Sequence, residues 1–241
     1  MVSVATVVFA ALSAVAYALP TTKCATPTLP STGAPTQLAP PDAGLVLKKI
    51  AVGHGIQNYT CATQTTASSP AAIGALAVLY DVTDLYPGSA RLTVTKQFWD
   101  ALPSTLLWSQ PLPVSASATA PFPAPKDVKV GNTNLKFLGR HYFDSLGSPT
   151  FDLSTVNLKA SVKKDVNGGI DAPATADKGP MGTGAVQWLR LIDNGRGLGK
   201  GLTNVYRVVT AGGVSPSCDK AGPNVISVPY ATYYWFYGPA A

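Results

Sequence analysis

Hydrophobic and polar residues alternate over much of the chain, as expected of strands with one side in a core and one side in solvent. The clearest stretch is Leu45–Cys61, LVLKKIAVGHGIQNYTC, which predicts a strand, a turn or bulge at the glycines of residues 53–55, and a second strand. Successive strand side chains point to opposite faces, so Gln57 and Cys61 are predicted to share the core face. Asn58, on the other face, begins an Asn-Tyr-Thr pattern and is a candidate N-glycosylation site.

Alternation of the same kind continues through the second half of the chain. It predicts strands over residues 133–144, 149–159, 184–193, 202–210 and 225–237. The glycine-rich residues 194–201 predict a β-hairpin loop, because the Gly-Lys-Ser/Thr ending of a phosphate loop is missing. Residues 163–182 are polar and predict a loop, and Pro229 predicts an edge strand or a bulge.

Two regions are compatible with more than one structure. Residues 68–86 carry an apolar run too short to distinguish a helix from a buried strand. Residues 87–125 are irregular, and their tryptophans either form an exposed ligand-binding loop or cover the core, the second being favoured. With many glycines, prolines and β-branched residues, the whole pattern predicts an all-β fold. The expected architecture is a single β-sandwich or barrel-like domain with long loops and little helix.

The N-terminus predicts export. Residues 1–18 form a short apolar run that ends in a small-x-small cleavage pattern, Ala-Tyr-Ala, and are predicted to be a signal peptide. Residues 19–43 are predicted to be a Thr/Pro-rich extended arm, and residues 44–241 a single β-rich domain. We expect no membrane span after the signal peptide. The predicted location is therefore secreted, either extracellular or in the cell wall.

Three cysteines follow the predicted signal peptide, so at least one has no partner within the chain. Export favours a disulfide. Cys61 ends a predicted strand and Cys218 lies just before another, which makes them the preferred pair, with Cys24–Cys218 as the alternative. The wide spacing of the cysteines argues against a metal site built on them. No metal and no cofactor are predicted.

The distribution of charge argues against one class of partner. The formal net charge is +6, but the basic residues are spread along the chain without a block of five like charges. A nucleic-acid partner is not predicted, because nucleic-acid-binding proteins concentrate positive charge in a patch or stripe. The predicted partner is a cell-wall glycan or a small-molecule ligand.

The preferred functional hypothesis is a binding domain without catalytic activity. The C-terminal stretch VPYATYYWFY is dense in aromatic residues, which could form a platform on which sugar faces stack. Core packing with hydrogen-bonded hydroxyl groups is the alternative role of these aromatics, and it is the favoured one. The candidate ligand-binding residues are Tyr230, Tyr234, Trp235 and Gln57.

The second hypothesis is a secreted hydrolase or lyase that acts on a glycan or a small molecule. His141 would be the base, a nearby aspartate would orient it, and Arg140 or Arg207 would hold an anion. The candidate catalytic residues are His141, Asp144, Asp81, Arg140, Arg207 and His54.

The role of His141 decides between the two hypotheses. It shares a predicted strand face with Phe137 and Phe143, which favours a buried core histidine over a base. A metal site would require His141 and His54, the only two histidines, to lie within a few ångströms of each other and of a carboxylate.

Six motifs, taken together and in order, resemble a known family. They are VGHGIQNYTC (52–61), AVLYD (77–81), GRHYFD (139–144), AVQWL (185–189), VYRVVTAGG (205–213) and VPYATYYWFY (228–237). The family is the secreted fungal and bacterial one catalogued as domain of unknown function thirty-four-fifty-five, and the resemblance extends from Leu45 to Gly238. It implies export, a β-rich fold and cysteines at the positions of Cys61 and Cys218, and it supplies no established catalytic residues.

Members of that family are often labelled malate dehydrogenase. The sequence does not support this label. It lacks the glycine fingerprint of a dinucleotide-binding unit, and it lacks the alternating β-α pattern of the fold that carries such a unit.

Overall fold

The computed structural model describes residues 1–2, 25–89, 94–112, 126–222 and 225–240, and within them the chain is mostly β-strand. The strands are β1 (Leu45–Thr60), β2 (Ala71–Asp81), β3 (Val128–Val130), β4 (Thr133–Phe143), β5 (Pro149–Leu153), β6 (Leu158–Ile170), β7 (Trp188–Asp193), β8 (Asn204–Gly212) and β9 (Ile226–Pro239). The α-helices are α1 (Lys96–Ser109) and α2 (Cys218–Ala221), and two short 3-10 helices cover Thr83–Leu85 and Ser154–Val156. The predicted signal peptide lies almost entirely outside the described residues.

Eight of these strands form a closed antiparallel barrel. Their order is β2-β1-β9-β8-β7-β6-β5-β4, and β4 pairs back onto β2 to close the ring. The short strand β3 pairs with β4 alone among the described strands. The prediction of an all-β, sandwich or barrel-like domain is confirmed, and the pairing of β4 with β2 identifies the barrel.

Two apolar clusters lie on opposite sides of the barrel wall. The inner cluster fills the barrel and includes Ala51, Leu79, Phe151, Val205, Tyr234 and Phe236. The outer cluster includes Val52, Tyr80, Val208, Tyr233 and Trp235, and it continues into Trp99, Leu102 and Leu106 of α1. Neighbouring residues of one strand therefore belong to different clusters, as the alternation of strand side chains requires.

The outer cluster is covered by two segments, helix α1 and the arm that precedes β1. Leu29 and Leu38 of the arm pack against the cluster. The arm is fixed where Asp42 forms an ion pair with the buried Arg190 and where the Tyr206 hydroxyl donates to the Ala39 carbonyl at 2.9 Å. The described part of the Thr/Pro-rich segment is thus packed along the barrel, although its sequence shows no packing pattern.

Several local predictions were wrong. The predicted strand of residues 149–159 is divided into β5 and β6 by a 3-10 turn at Ser154–Val156. The glycines of residues 53–55 do not break a strand, because β1 runs through them. They are needed for close packing: a Cβ on Gly53 would lie 2.6 Å from the Tyr234 ring, and one on Gly55 would lie 1.9 Å from the Leu76 carbonyl oxygen. Residues 163–170, predicted as loop, belong to β6. Pro229 lies in a central strand between β1 and β8, next to the end of the β8 pairing at Tyr230.

The two open regions have defined structures. The apolar run of residues 68–86 contains the buried strand β2. The irregular stretch before residue 113 contains helix α1, which was not predicted and which has Pro103 inside it. Trp99 of this helix is buried over the barrel, while Trp108 is 57% exposed. Residues 113–125 of the predicted long loop lie outside the described part of the chain.

A disulfide joins Cys61 to Cys218, with a Cα–Cα distance of 5.7 Å. It connects the segment that follows β1 with helix α2, just before β9. The preferred pairing is confirmed, and Cys24 lies outside the described residues. No helix of the described chain is long and apolar enough to cross a membrane.

Candidate functional site

A cavity of about 290 Å³ opens into the barrel interior at one end. Most of its wall is apolar, formed by side chains such as Phe143, Pro149, Phe151, Leu189 and Leu191. The polar side chains that line it are Gln57, Tyr59, His141, Lys164, Arg207 and Tyr234. A small, largely apolar cavity with a few convergent polar groups is the usual form of a ligand site. We call it the mouth cavity.

A bulge in β4 turns His141 into this cavity. Leu79 of β2 pairs with Gly139, but the next residue, Tyr80, pairs with Phe137, so Leu138 is the extra residue. Because of the bulge, Phe137 packs with the outer cluster while His141 points inward. The prediction that Phe137 and His141 share a face was therefore wrong.

The ring of His141 is held in a fixed orientation. It stacks on Phe151 with ring centroids 4.1 Å apart and an interplanar angle of 7°. Its Nδ1 lies 2.9 Å from the Thr150 carbonyl oxygen. A carbonyl oxygen only accepts, so Nδ1 carries the proton and Nε2 is the unprotonated nitrogen of the neutral ring. Burial lowers the pKa of His141 to about 4, with the Arg207 charge acting in the same direction and the bond to Thr150 opposing it.

Arg207 supplies a positive charge at the edge of the cavity. Its Nε and Nη2 both donate to the Gln187 carbonyl, at 3.1 and 2.9 Å, which fixes the guanidinium. Its charge also opposes the rise that burial causes in the pKa of three tyrosines, Tyr59, Tyr230 and Tyr234. Among the described residues no carboxylate forms an ion pair with Arg207.

Two tyrosine hydroxyls in the barrel interior share a single hydrogen bond. The oxygens of Tyr230 and Tyr234 lie 2.9 Å apart, and either can donate to the other. Whichever donates, the second hydroxyl proton has no acceptor among the described residues. Tyr234 lines the mouth cavity, so the pair offers one hydrogen-bond donor near a bound molecule.

Lys164 adds a second positive charge. The pairing of β6 with β7 shifts between Lys164 and Gly169, which loops out the four residues between them. The ammonium group lies against Gly169, where a Cβ would be 2.6 Å from Nζ. Lys164 lines the cavity and is itself exposed to solvent. The described residues that line the cavity thus carry two lysine or arginine charges and no carboxylate.

The other predicted catalytic residues lie elsewhere. Asp144 accepts from Arg196 and from backbone N–H groups of its own turn. Asp81 pairs with Lys49 at 2.7 Å. Arg140 follows Gly139 on β4 but is exposed on the outer side of the wall. An aspartate that would orient His141 is therefore missing from the described lining of the cavity.

The two histidines lie on opposite sides of the barrel wall, with β2 between their strands. Val78 of β2 pairs both with His54 of β1 and with Arg140, the outward neighbour of His141. His54 is buried with its Nε2 unpartnered. The paired-histidine metal site therefore does not form, and no group of three metal-ligating side chains occurs among the described residues.

The ligand-binding candidates divide between cavity and core. Gln57 and Tyr234 line the mouth cavity, with Gln57 Nε2 donating to the Gly74 carbonyl at 2.8 Å. Tyr230 and Trp235 are 0% and 1% exposed, so the aromatics of β9 form core and not an exposed platform. Asn58 is half-buried and its Oδ1 accepts from Ser227 Oγ at 2.8 Å. Its glycosylation stays a prediction.

Sequence reasoning missed Tyr59, Phe151 and Lys164 as parts of a site. The alternation of strand side chains points Tyr59 and Phe151 to the inner side, but it says nothing of a cavity beside them. Lys164 fell in a predicted loop, and a loop prediction does not indicate to which side a side chain points. A strand assignment for residues 163–170 would have placed Lys164 on the side opposite Lys163.

Residues 41–238 match the model of a family described as protein of unknown function, DUF3455. The chain belongs to this family. No curated protein and no solved structure matches the chain at a significant level. The barrel also bears on the malate dehydrogenase label, because its strand pairings are all antiparallel. A dinucleotide-binding unit is built on parallel strands.

Proposed function

We propose that this DUF3455 protein is an exported binding protein that holds a small organic anion in its mouth cavity. The observation that carries the proposal is Arg207, a cation fixed by a backbone carbonyl, without a carboxylate partner among the described residues, beside a largely apolar cavity. Charged hydrogen bonds of arginine to carboxylates and similar anions are among the strongest in proteins.

The wall of the cavity indicates the rest of the ligand. Most of the wall surface is apolar, formed by phenylalanine, leucine and proline side chains among others, so the body of the ligand is apolar and its charge lies at one end. Such a wall suits an aromatic or aliphatic acid better than a sugar, whose hydroxyl groups need many hydrogen-bonding partners. The volume of about 290 Å³ lies near the lower limit for small-molecule sites, so the ligand is small.

Export is part of the same proposal. The predicted signal peptide supports it, and so does the Cys61–Cys218 disulfide, since such bonds persist in oxidising compartments. The ligand would then be met outside the cell or in the cell wall.

The proposal is tested with a charged probe and its neutral counterpart. Titration calorimetry would compare naphthalenesulfonate with naphthalenesulfonamide on the wild-type protein, on Arg207→Gln and on Arg140→Gln. We expect the anion to bind more tightly than the amide, and Arg207→Gln to weaken anion binding by about 10- to 100-fold, the loss of one charged hydrogen bond.

Arg140→Gln is the matched control, because it removes the same charge from the outer side of the wall. It should leave binding unchanged. Equal binding of the anion by both variants, or no preference of the wild-type protein for the anion, would refute the proposal.

A further inference from the structure

The unprotonated nitrogen of His141 faces the same cavity as Arg207, and this has a consequence that rests on the proposed function. Nε2 has no hydrogen-bond partner among the described residues. Unlike Nε2 of His54, it is not a sealed buried atom. It is therefore reachable from the cavity, where a bound molecule can contact it.

The groups around His141 fix the electrostatics of the unliganded cavity. The inner faces of β2, β5 and β7 supply apolar side chains such as Ala72, Phe151 and Leu189. The titratable or charged side chains that face the cavity are Lys164 from β6, Arg207 from β8, Tyr234 with its partner Tyr230 from β9, and Tyr59 from β1. Lys164 and Arg207 are cations and the tyrosines are neutral, so both charged neighbours disfavour an added proton on His141.

An organic anion reverses this balance. Its negative charge would cancel that of Arg207 and would place acceptor oxygens near Nε2, in surroundings where a charge pair interacts strongly. We infer that His141 takes up one proton when the anion binds, so that the cavity binds organic anions together with a proton. The proton comes from the solvent, Nε2 gains an N–H bond, and this N–H group donates a hydrogen bond to the ligand.

The direction of the pH dependence follows. In the free protein the pKa of His141 is about 4, so the ring is neutral through the weakly acidic range. An anion that raises this pKa binds more tightly at any pH at which His141 is protonated in the complex and neutral in the free protein. The affinity for anions therefore rises as the pH falls from 7 towards 5. The protein would collect organic anions in acidic surroundings and release them near neutrality.

Calorimetry with naphthalenesulfonate tests the inference, because a sulfonate does not titrate in this range and every proton taken up belongs to the protein. Binding is measured between about pH 5 and about pH 7, in two buffers with different heats of ionisation. We expect proton uptake that approaches one per ligand and an affinity about tenfold or more higher at the acidic end. His141→Gln should bind with little pH dependence, whereas His54→Gln, which removes the sealed histidine, should behave as wild type.

A second measurement needs no change at His141. In ¹⁵N-labelled His54→Gln, the ring signals of His141 report the protonation of Nε2 directly, with and without the anion. Binding without proton uptake and without a change in these signals would overturn the inference and leave the proposed function intact. Failure of the anion to bind at any pH would overturn both.

Discussion

The two halves of the barrel wall differ in what covers their outer side. Around β1, β8 and β9 the outer side chains lie beneath helix α1 and the arm, in one aromatic cluster. From Arg140 onward in β4, in β5 and in the first half of β6, the outer positions are polar, and Asp152 lies opposite Arg140 and Lys159 in the neighbouring strands. We call these the covered half and the bare half.

The difference shows how one barrel combines a heavily packed wall with a wall that lines a cavity. The covered half buries both of its sides, so β9 reads as an almost unbroken apolar strand. The bare half buries its inner side, and on its outer side Thr150 and Ser161 are buried polar residues. The inner side supplies His141, Phe143, Phe151 and Lys164 to the mouth cavity. Arg207 comes from the covered half, so the site lies where a heavily packed wall meets a lightly packed one.

The largest expected effect is on the free energy of unfolding, and it is measured by replacing one residue from each half. Trp235→Ala removes a side chain that is 1% exposed in the outer cluster, and we expect it to lower the free energy of unfolding by about 3 to 5 kcal/mol. Arg140→Ala, on the outer side of the bare half, should change it by less than about 0.5 kcal/mol. Unfolding in guanidinium measures both, and similar losses for the two variants would end the distinction between the halves.

The two histidines extend the comparison to the pH dependence of the free energy of unfolding. Burial lowers the pKa of His54 to about 4, as it does that of His141. The unfolded chain takes up protons on histidine below about pH 6.5 and the folded protein does so only near pH 4, so stability falls as the pH falls through this window. Each histidine contributes about 3 kcal/mol to that loss by order of magnitude.

The measurement is unfolding in denaturant at a series of pH values. His54→Gln should lose less stability than wild type between about pH 7 and about pH 4, because its share of the proton uptake disappears. Adding naphthalenesulfonate should protect the wild-type protein most at the acidic end, through His141. An unchanged pH profile in His54→Gln would mean that this histidine is not sealed in the folded protein.

The smallest effect concerns the arm that covers one half. Asp42→Asn removes one of two aspartates from Arg190, whose side chain is 9% exposed, while Asp165 remains. Because the side chain of Asp42 is itself 60% exposed, we expect a loss of only about 1 to 2 kcal/mol. Limited proteolysis should cleave the arm faster in this variant, and an arm that resists as in wild type would show that its leucines hold it without the ion pair.

The predictability of the fold from sequence does not follow this division, because β4 of the bare half was predicted to within one residue and α1 of the covered half was missed. Alternation of apolar and polar residues located β1, β7 and β8, and the dense aromatic residues near the C-terminus located β9. Helix α1 was missed although its buried residues, from Trp99 to Leu107, follow helical spacing, because Pro103 within this run is a poor helix residue. The second half of β6 was missed because most of its side chains are polar or exposed, and a strand and a loop then have similar composition.

The site was predictable in part. His141, Arg207, Gln57 and Tyr234 were all candidates, and they line one cavity. These residues come together because the barrel closes and because β4 has a bulge at Leu138. Neither feature produces a periodic pattern in the sequence. The sequence also suggested an aspartate beside His141, whereas Asp144 is held by Arg196 and by its own turn.

The disulfide has a mechanical consequence. Leu45 pairs with Pro239 at one end of the β1–β9 ladder and Tyr59 pairs with Ile226 at the other, close to the bond between Cys61 and Cys218. Tension applied at the two ends of the domain would unzip β1 from β9 one pair at a time, until the sulfur bridge carried the load. The strands from β2 to β8 lie inside the covalent loop and would feel no pull, so a protein anchored at both ends would keep that part of the barrel shielded from the force.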